Sequence, residues 1–285
     1  MSKIKIIGNG EVQIGQLSTI SNSAQFVFNK PGTVTIGDYC VIGPGVKIVC
    51  SGGDVNIGDW TTLHDNCLVL SSKYVEINQH CWFGQNCIID GSGGLKIGRG
   101  VRVGMYSQIW SHVAAGEQIE GCTLFGERPV YIEDEVWLVG SCIVASGVTI
   151  GRRSVALIGS NITKSWPANT TLAGTPALQK TGLSFYKEVT LEEKWEMLRH
   201  WIEAATKEIE VNIDSVDYEC LQLSDASKNI IIFVLRKPTP EFKERFSTAT
   251  ICCLEDKMYT KKFTDIEKKV LKYLAGNKAR FYSLN

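Results

Sequence analysis

No stretch of this sequence is apolar for the ~18 residues needed to cross a bilayer. Its first ten residues, MSKIKIIGNG, lack the apolar core of a secretory signal. These absences lead to the expectation of a soluble, cytoplasmic protein. Neither sign of charge predominates, with 30 Lys and Arg against 30 Asp and Glu. That balance argues against a basic face for nucleic acid or an anionic membrane. Histidine is scarce, at four residues, and no CxxC pair marks a zinc or redox site. His64, His80 and His112 lack the local pairing of a zinc site, so no metal is expected. His200 falls in a separate helical stretch. Cysteine is plentiful, at ten residues, but without an export signal disulfides are not expected.

What is present is a repeat. Large apolar residues recur every six positions in groups of three: Ile14/Ile20/Phe26, Ile36/Ile42/Ile48, Ile57/Leu63/Val69, Ile77/Phe83/Ile89 and Ile97/Val103/Ile109. After an interruption come Ile132/Leu138/Val144 and Ile150/Ala156/Ile162, where Ala156 is the one small member. A period of six is neither 3.6 nor 2. It fits a chain that runs straight, turns a corner and repeats, stacking coil on coil. Glycine often follows the apolar residue, as at Gly37, Gly58, Gly98 and Gly104, which suggests tight corners that need its backbone freedom. The fifth hexad position is small or β-branched: Cys40, Thr61, Cys67, Cys81, Cys87, Ser107, Val113, Cys142 and Ser154 among others. It should point inward with the first position, which makes these cysteines small buried residues.

Three hexads make one coil. Coils begin at Ile14, Ile36, Ile57, Ile77, Ile97, Ile132 and Ile150. Most excess residues fall after a third hexad, where a solenoid tolerates insertion. The interval after Ile97 implies an ~16-residue excursion between roughly Ala115 and Val130, long enough to suggest function.

From Pro129 the chain reads PVYIEDEVWLVGSCIVASGVTIGRRSVALIGSNITKSWPANTTLAGTPAL. Val136–Trp137, Ser146–Gly151, Thr163–Lys164 and Ala173–Pro176 carry a resemblance to the C-terminal coils of left-handed β-helix hexapeptide-repeat acyltransferases, in the galactoside/maltose sugar O-acetyltransferase branch. The hexad pattern covers about 165 of the 285 residues. The resemblance implies a mainly β fold, a left-handed parallel β-helix over residues 1–182, working as a homotrimer with acetyl-CoA as acyl donor. It implies that His112, just before the excursion, is the general base. A neutral imidazole removing the proton of an attacking sugar hydroxyl contributes ~10²–10⁴-fold. It also implies donor contacts at Trp137, Gly140, Ile158, Gly159, Thr163 and Lys164. Lys164 reads equally as a solvated lysine. Asn86, in an outward slot of an earlier coil, resembles a sugar-binding position but also suits a plain corner. Trp110 and Trp82 would stack on a pyranose or simply cover the coil. His80, preceding the inward Cys81, should point outward. The sequence departs from the family at Trp137-Leu138-Val139-Gly140 and Leu157-Ile158-Gly159-Ser160, both on the donor side.

Residues 183–285 change character. Thr190–Ile209 has helical spacing, with Thr190 and Glu193 as a capping box. Tyr218–Leu223, Asn229–Leu235 and Thr248–Leu254 read as strands, and Phe263–Ala275 as a second helix. The expectation is a small α+β unit with an antiparallel sheet that caps or oligomerises. The leading functional expectation is O-acetylation of a carbohydrate hydroxyl, plausible in bacterial surface-polysaccharide synthesis. N-acetylation of an amino sugar, nucleotide-linked or not, and a non-catalytic β-helix scaffold are the alternatives.

Overall fold

The structure is a computed structural model that describes residues 4–217 and 219–284. The chain divides into two compact units, one ending at Tyr186 and the other beginning at Lys187. Among the described residues no helix is long and apolar enough to cross a membrane.

The first unit is a parallel β-helix of three sheets, in which each coil contributes one short strand to each sheet. Every hexad apolar residue lies in register with its counterpart one coil away. On face one, Ile14 pairs Ile36, Ile57 pairs Ile77, and Ile97 pairs Ile132 across the excursion. On face two, Ile42 pairs Leu63 and Leu63 pairs Phe83. On face three, Ile48 pairs Val69 and Ile109 pairs Val144. These side chains fill the single long core and are almost wholly buried. Each contributes roughly 1.5–3 kcal/mol by leaving water. Three expected core positions differ. Ile14 is 37% exposed and Ile20 is half-buried because their strands lie at the edges of their sheets. Val113 is only half-buried because the chain has already left the helix for the excursion.

The corners work differently from the sequence expectation. The glycines after the apolar residues do not adopt positive φ. They permit close approach: a Cβ at Gly104 would overlap the Val139 carbonyl, and one at Gly37 would lie 2.8 Å from the Asp59 nitrogen. The left-handed residue is the fourth of the hexad: Tyr39, Trp60, His80, Asn66, Asn86 and Tyr106 all have φ between 59° and 61°. Left-handed backbone is costly outside glycine, and at one corner ring contacts help offset it. Tyr39 stacks on Trp60 at 4.2 Å between centroids, and Trp60 lies parallel to His80 at 5.8 Å. His80 is therefore buried, at 5% exposure, rather than pointing outward.

Apart from Val113, the fifth-position side chains are inward as expected, and thiols and hydroxyls among them also donate. The thiols of Cys40, Cys67 and Cys81 bond to the carbonyls of Gly58, Gly84 and Gly98 in the next coil at 3.2, 3.1 and 3.0 Å. Thr61 and Ser154 do the same with their hydroxyls. A small donor at this slot satisfies a carbonyl that the corner turns toward the core.

Among the described residues the second unit holds a six-stranded sheet and three helices. Helix α1, Leu191–Ala205, begins at the expected capping box of Thr190 and Glu193. Helix α2, Pro240–Arg245, and helix α3, Asp265–Ala275, follow. Three expected strands are present as Cys220–Ser224, Ile230–Val234 and Thr250–Cys253, while Tyr218 lies outside the described residues. The sheet is mixed, not antiparallel. Ile230–Val234 pairs in parallel with Thr250–Cys253, because the connection between them crosses over through α2. Met258–Tyr259 and Tyr282–Ser283 also pair in parallel. The strand Asn212–Val216 was not legible in the sequence, having only exposed or half-buried residues.

Candidate active site

Each coil turns three corners, and they differ in what they carry. The turns from face one to two and from face two to three keep a fixed four-residue length through most of the stack. The turn from face three to one takes the insertions, the longest after Ile109.

That excursion is a hairpin. His112–Ala114 pairs antiparallel with Phe125–Glu127, and a 3₁₀ turn at Gln118–Glu120 lies near its tip. His112 therefore stands at the hairpin's base, where the ordered coil ends. Its side chain is 40% exposed. The ring edge faces Trp110 at 6.0 Å between centroids, while the Trp110 indole N–H donates to Gln108 at 3.0 Å.

The other side of the ring is anchored. His112 Nδ1 lies 2.8 Å from Asp90 Oδ2, and Asp90 is fully buried. Asp90 sits one coil away, directly after Ile89, which is in register with Ile109. Its Oδ2 also accepts from the Ser111 backbone N–H at 2.8 Å and the Ser111 hydroxyl at 2.9 Å. Its Oδ1 accepts from the Ser92 hydroxyl at 2.6 Å and the Ser92 N–H at 3.2 Å. Burial pushes the Asp90 carboxyl up, but the hydrogen bonds from Ser92, His112 and Ser111 outweigh it and hold the group below the ordinary carboxylate range. Asp90 is thus an ionised acceptor. Nδ1 is then the donor in this contact, and in the neutral ring the lone pair is on Nε2.

Asp90 was missed in the sequence. The signal was a carboxylate opening the small-residue insert Asp90-Gly91-Ser92-Gly93-Gly94, a setting that favours an Asx turn. Small residues let the neighbouring backbone close over it. Gly93 donates its N–H to the Ser111 hydroxyl at 2.8 Å, and a Cβ there would overlap the Ser111 carbonyl.

The remaining expected residues fall into two places. Gly140, Ile158 and Gly159 meet at the corner from face two to three, where the Gly159 N–H donates to the Gly140 carbonyl at 2.9 Å. Gly140 is buried, and Ile158 is 72% exposed beside exposed Met105. Asn86 occupies this same corner in an earlier coil, at φ 59°. Trp137 lies just before it on face two, outward and 42% exposed. Thr163 and Lys164 lie on the His112 corner in a later coil, with the Lys164 ammonium 4.6 Å from the Trp166 ring centroid. Within one chain, therefore, Asn86, Gly140, Ile158 and Gly159 stand at a different corner from His112. Among the described residues, no three His, Cys, Asp or Glu side chains are gathered as metal ligands would be.

No protein-family model matches the chain. It is 27% identical over 168 residues to the galactoside O-acetyltransferase of Lactococcus lactis, covering 59% of this chain and 72% of that enzyme. It is 34% identical over 105 residues to nodulation protein L of Rhizobium meliloti, spanning 57% of that protein's length and 36% of its own. Among solved structures, it resembles a hexapeptide-repeat acetyltransferase of Vibrio cholerae complexed with acetyl coenzyme A, at 23% identity and TM-score 0.37 over 53% of this chain and 71% of that one. It also resembles the polySia-specific acetyltransferase NeuO, at 20% identity and TM-score 0.42 over 72% and 98%. With its coils built on the hexad repeat and the galactoside enzyme alongside it over 168 residues, the chain is similar to hexapeptide-repeat acetyltransferases.

Proposed function

We propose that this protein transfers an acetyl group from acetyl-CoA to a carbohydrate hydroxyl, with His112 as general base and Asp90 as its positioning residue. The observation that carries the reading is the short Asp90–His112 contact at the base of the hairpin. Nε2 takes the proton from the hydroxyl as its oxygen attacks the thioester carbonyl. The tetrahedral intermediate then collapses, the C–S bond breaks, and the CoA sulfur leaves with a proton from the imidazolium. Asp90 holds the ring in the required tautomer and stabilises its transient charge.

The separation of the corners supports a trimer with its site shared between copies. Face three is the apolar outer face: Val27, Val49, Leu68, Leu70 and Ile88 are half-buried there, and Ile143 is 38% exposed. Packing this face against other copies would bring His112 of one chain to the Gly140–Ile158 corner of the next. Trp137, Gly140, Ile158 and Gly159 would then line the pantetheine groove, and Thr163 and Lys164 would lie at its far end. Asn86 and Trp110 would flank the acceptor. The hydroxyl reading is favoured over the amine reading by the anchored base, since a neutral amine needs no proton removed before attack.

The test is thiol release from acetyl-CoA with a panel of sugars, amino sugars and polysaccharides. The expected result is release with a hydroxyl acceptor that His112→Ala lowers by ~10²–10⁴-fold. Absence of CoA binding by calorimetry would overturn the reading. Light scattering tests the trimer.

A further inference from the structure

Face one differs from face three in what it turns outward. Where face three shows Val27, Val49 and Ile88, face one carries a polar row. In successive coils the row reads Thr35, Asn56, Glu76, Lys96, Tyr131 and Thr149, each in register with the next. Every member donates or accepts hydrogen bonds. Parallel strands lie about 4.8 Å apart, so the row offers one polar side chain per step of that length.

The later part of the row is hollowed. Glu76, Asn78, Lys96, Tyr131, Glu133 and Thr149 line a groove of about 400 Å³. Tyr74 lies beside it. Gly94 has a φ of 100°, and a Cβ there would come within 2.8 Å of the Tyr74 hydroxyl, so the missing side chain lets the Tyr74 ring cross this strand. Burial and a hydrogen bond with Tyr131 hold the Tyr74 hydroxyl above its ordinary value, so it stays a neutral phenol. The Lys96 ammonium lies 2.9 Å from the Glu76 carboxylate and 5.5 Å from the Tyr74 ring centroid. Glu133 accepts the Arg152 backbone N–H at 2.8 Å. The lining therefore carries two carboxylates against one ammonium.

The groove adjoins the His112 hairpin through the chain itself. Glu127 pairs with His112, and the same segment continues directly into Val130–Ile132 on face one. The Arg128 N–H donates to the Ser111 carbonyl at 2.9 Å, and the Val130 N–H to the Gly94 carbonyl at 3.0 Å. One short run of chain thus forms both the hairpin base and a rung of the groove.

We propose that this groove holds a neutral, extended glycan with about one sugar per coil, so that the acceptor chain lies along face one and presents a hydroxyl to His112. Sugar hydroxyls donate and accept, and the row answers with both functions at each step. A tyrosine ring offers an apolar face to pyranose C–H groups and a polar tip to their hydroxyls. An extended β-linked pyranose chain advances by close to one strand spacing per sugar, which keeps it in phase with the rungs. The excess of carboxylate in the lining disfavours an anionic glycan. This inference deepens the acetyl-transfer reading and rests on it, because it names the class of acceptor and how it lies.

The experiment titrates the full-length protein by calorimetry with cello-oligosaccharides of increasing length and with an oligouronate of matched length. Affinity should climb with length to about four sugars, one for each rung from Glu76 to Thr149, and then level. The oligouronate should bind more weakly, and Glu76→Gln should narrow that difference. Tyr131→Ala should weaken the longest cello-oligosaccharide roughly tenfold and flatten the length dependence, with the melting profile unchanged. In thiol release from acetyl-CoA it should raise KM for that oligosaccharide and leave kcat as in wild type. Affinity independent of length, tighter binding of the oligouronate by wild type, or no effect of Tyr131→Ala overturns the groove. Calorimetry with CoA in parallel separates the failures. CoA binding without length-dependent glycan binding overturns only the groove, whereas no CoA binding overturns the transferase reading.

Discussion

The corner from face two to three and the corner from face three to one are built from the same hexads yet serve opposite ends. The first is regular. A glycine such as Gly104 is pressed against the coil above, a left-handed residue makes the turn, and a thiol or hydroxyl closes a carbonyl. The second is where the chain departs, and its longest departure carries His112. Regularity at one corner holds the stack in register. Freedom at the other lets a histidine be presented without disturbing a core that is already satisfied. The proposed base thus sits where the repeat fails, braced by one buried carboxylate from the coil before.

Four outcomes would break or sharpen this contrast. The largest effect belongs to the regular corner. Gly104→Ala forces a Cβ into the Val139 carbonyl and should cost about 3 kcal/mol, the upper end of overpacking. Urea denaturation measures this, and a wild-type midpoint would show that the corner is slack. Next is Asp90→Ala, which strips the acceptor from Ser92 and Ser111 and should cost about 1–3 kcal/mol besides lowering transfer. The pH dependence sharpens it. Asp90's folded pKa is depressed, so its contribution is complete above the ordinary carboxylate value of 3.8 and is lost as pH falls through the lower folded value. The stability gap between wild type and Asp90→Asn should therefore narrow in acid.

A smaller effect is expected from the hairpin tip. Removing Gly116–Gly121, whose Ile119 is 88% exposed, should change stability by no more than about 0.6 kcal/mol, since loop-closure entropy varies slowly with length. A cooperative loss of fold on this deletion would mean that the excursion is structural. The smallest perturbation is thiol labelling of the folded protein. Burial pushes the Cys40 thiol up to about 12, and Cys142 is likewise raised by burial, so both should react slowly. Cys122, half-exposed in the hairpin, should react first.

Much of the β-helix was legible because its signal is redundant. Residues such as Ile36, Ile57 and Ile77 repeat the same spacing coil after coil, and a single misread position would not hide the period. His112 was singled out by the resemblance and by its place beside the long break. Asp90 was not, because its role depends on a contact between coils 22 residues apart, and a lone carboxylate in a glycine-rich insert looks like an ordinary turn. The glycine and left-handed positions were interchanged for a related reason. Sequence shows that glycine is needed, but only the stacked coil shows whether it serves φ or clearance. His80 was misjudged because alternation along a strand does not extend to a corner, where its ring turns back onto Trp60. In the second unit the helices were readable from their caps, while the parallel pairing depended on a short crossover helix with no buried stripe.

The central claim is that the interrupted corner performs acetyl transfer through an anchored imidazole. It is tested most directly by comparing wild type and His112→Ala in thiol release from acetyl-CoA with the best carbohydrate acceptor, alongside their melting curves. The account predicts a ~10²–10⁴-fold loss of rate with melting unchanged. Equal rates in the two proteins would contradict it.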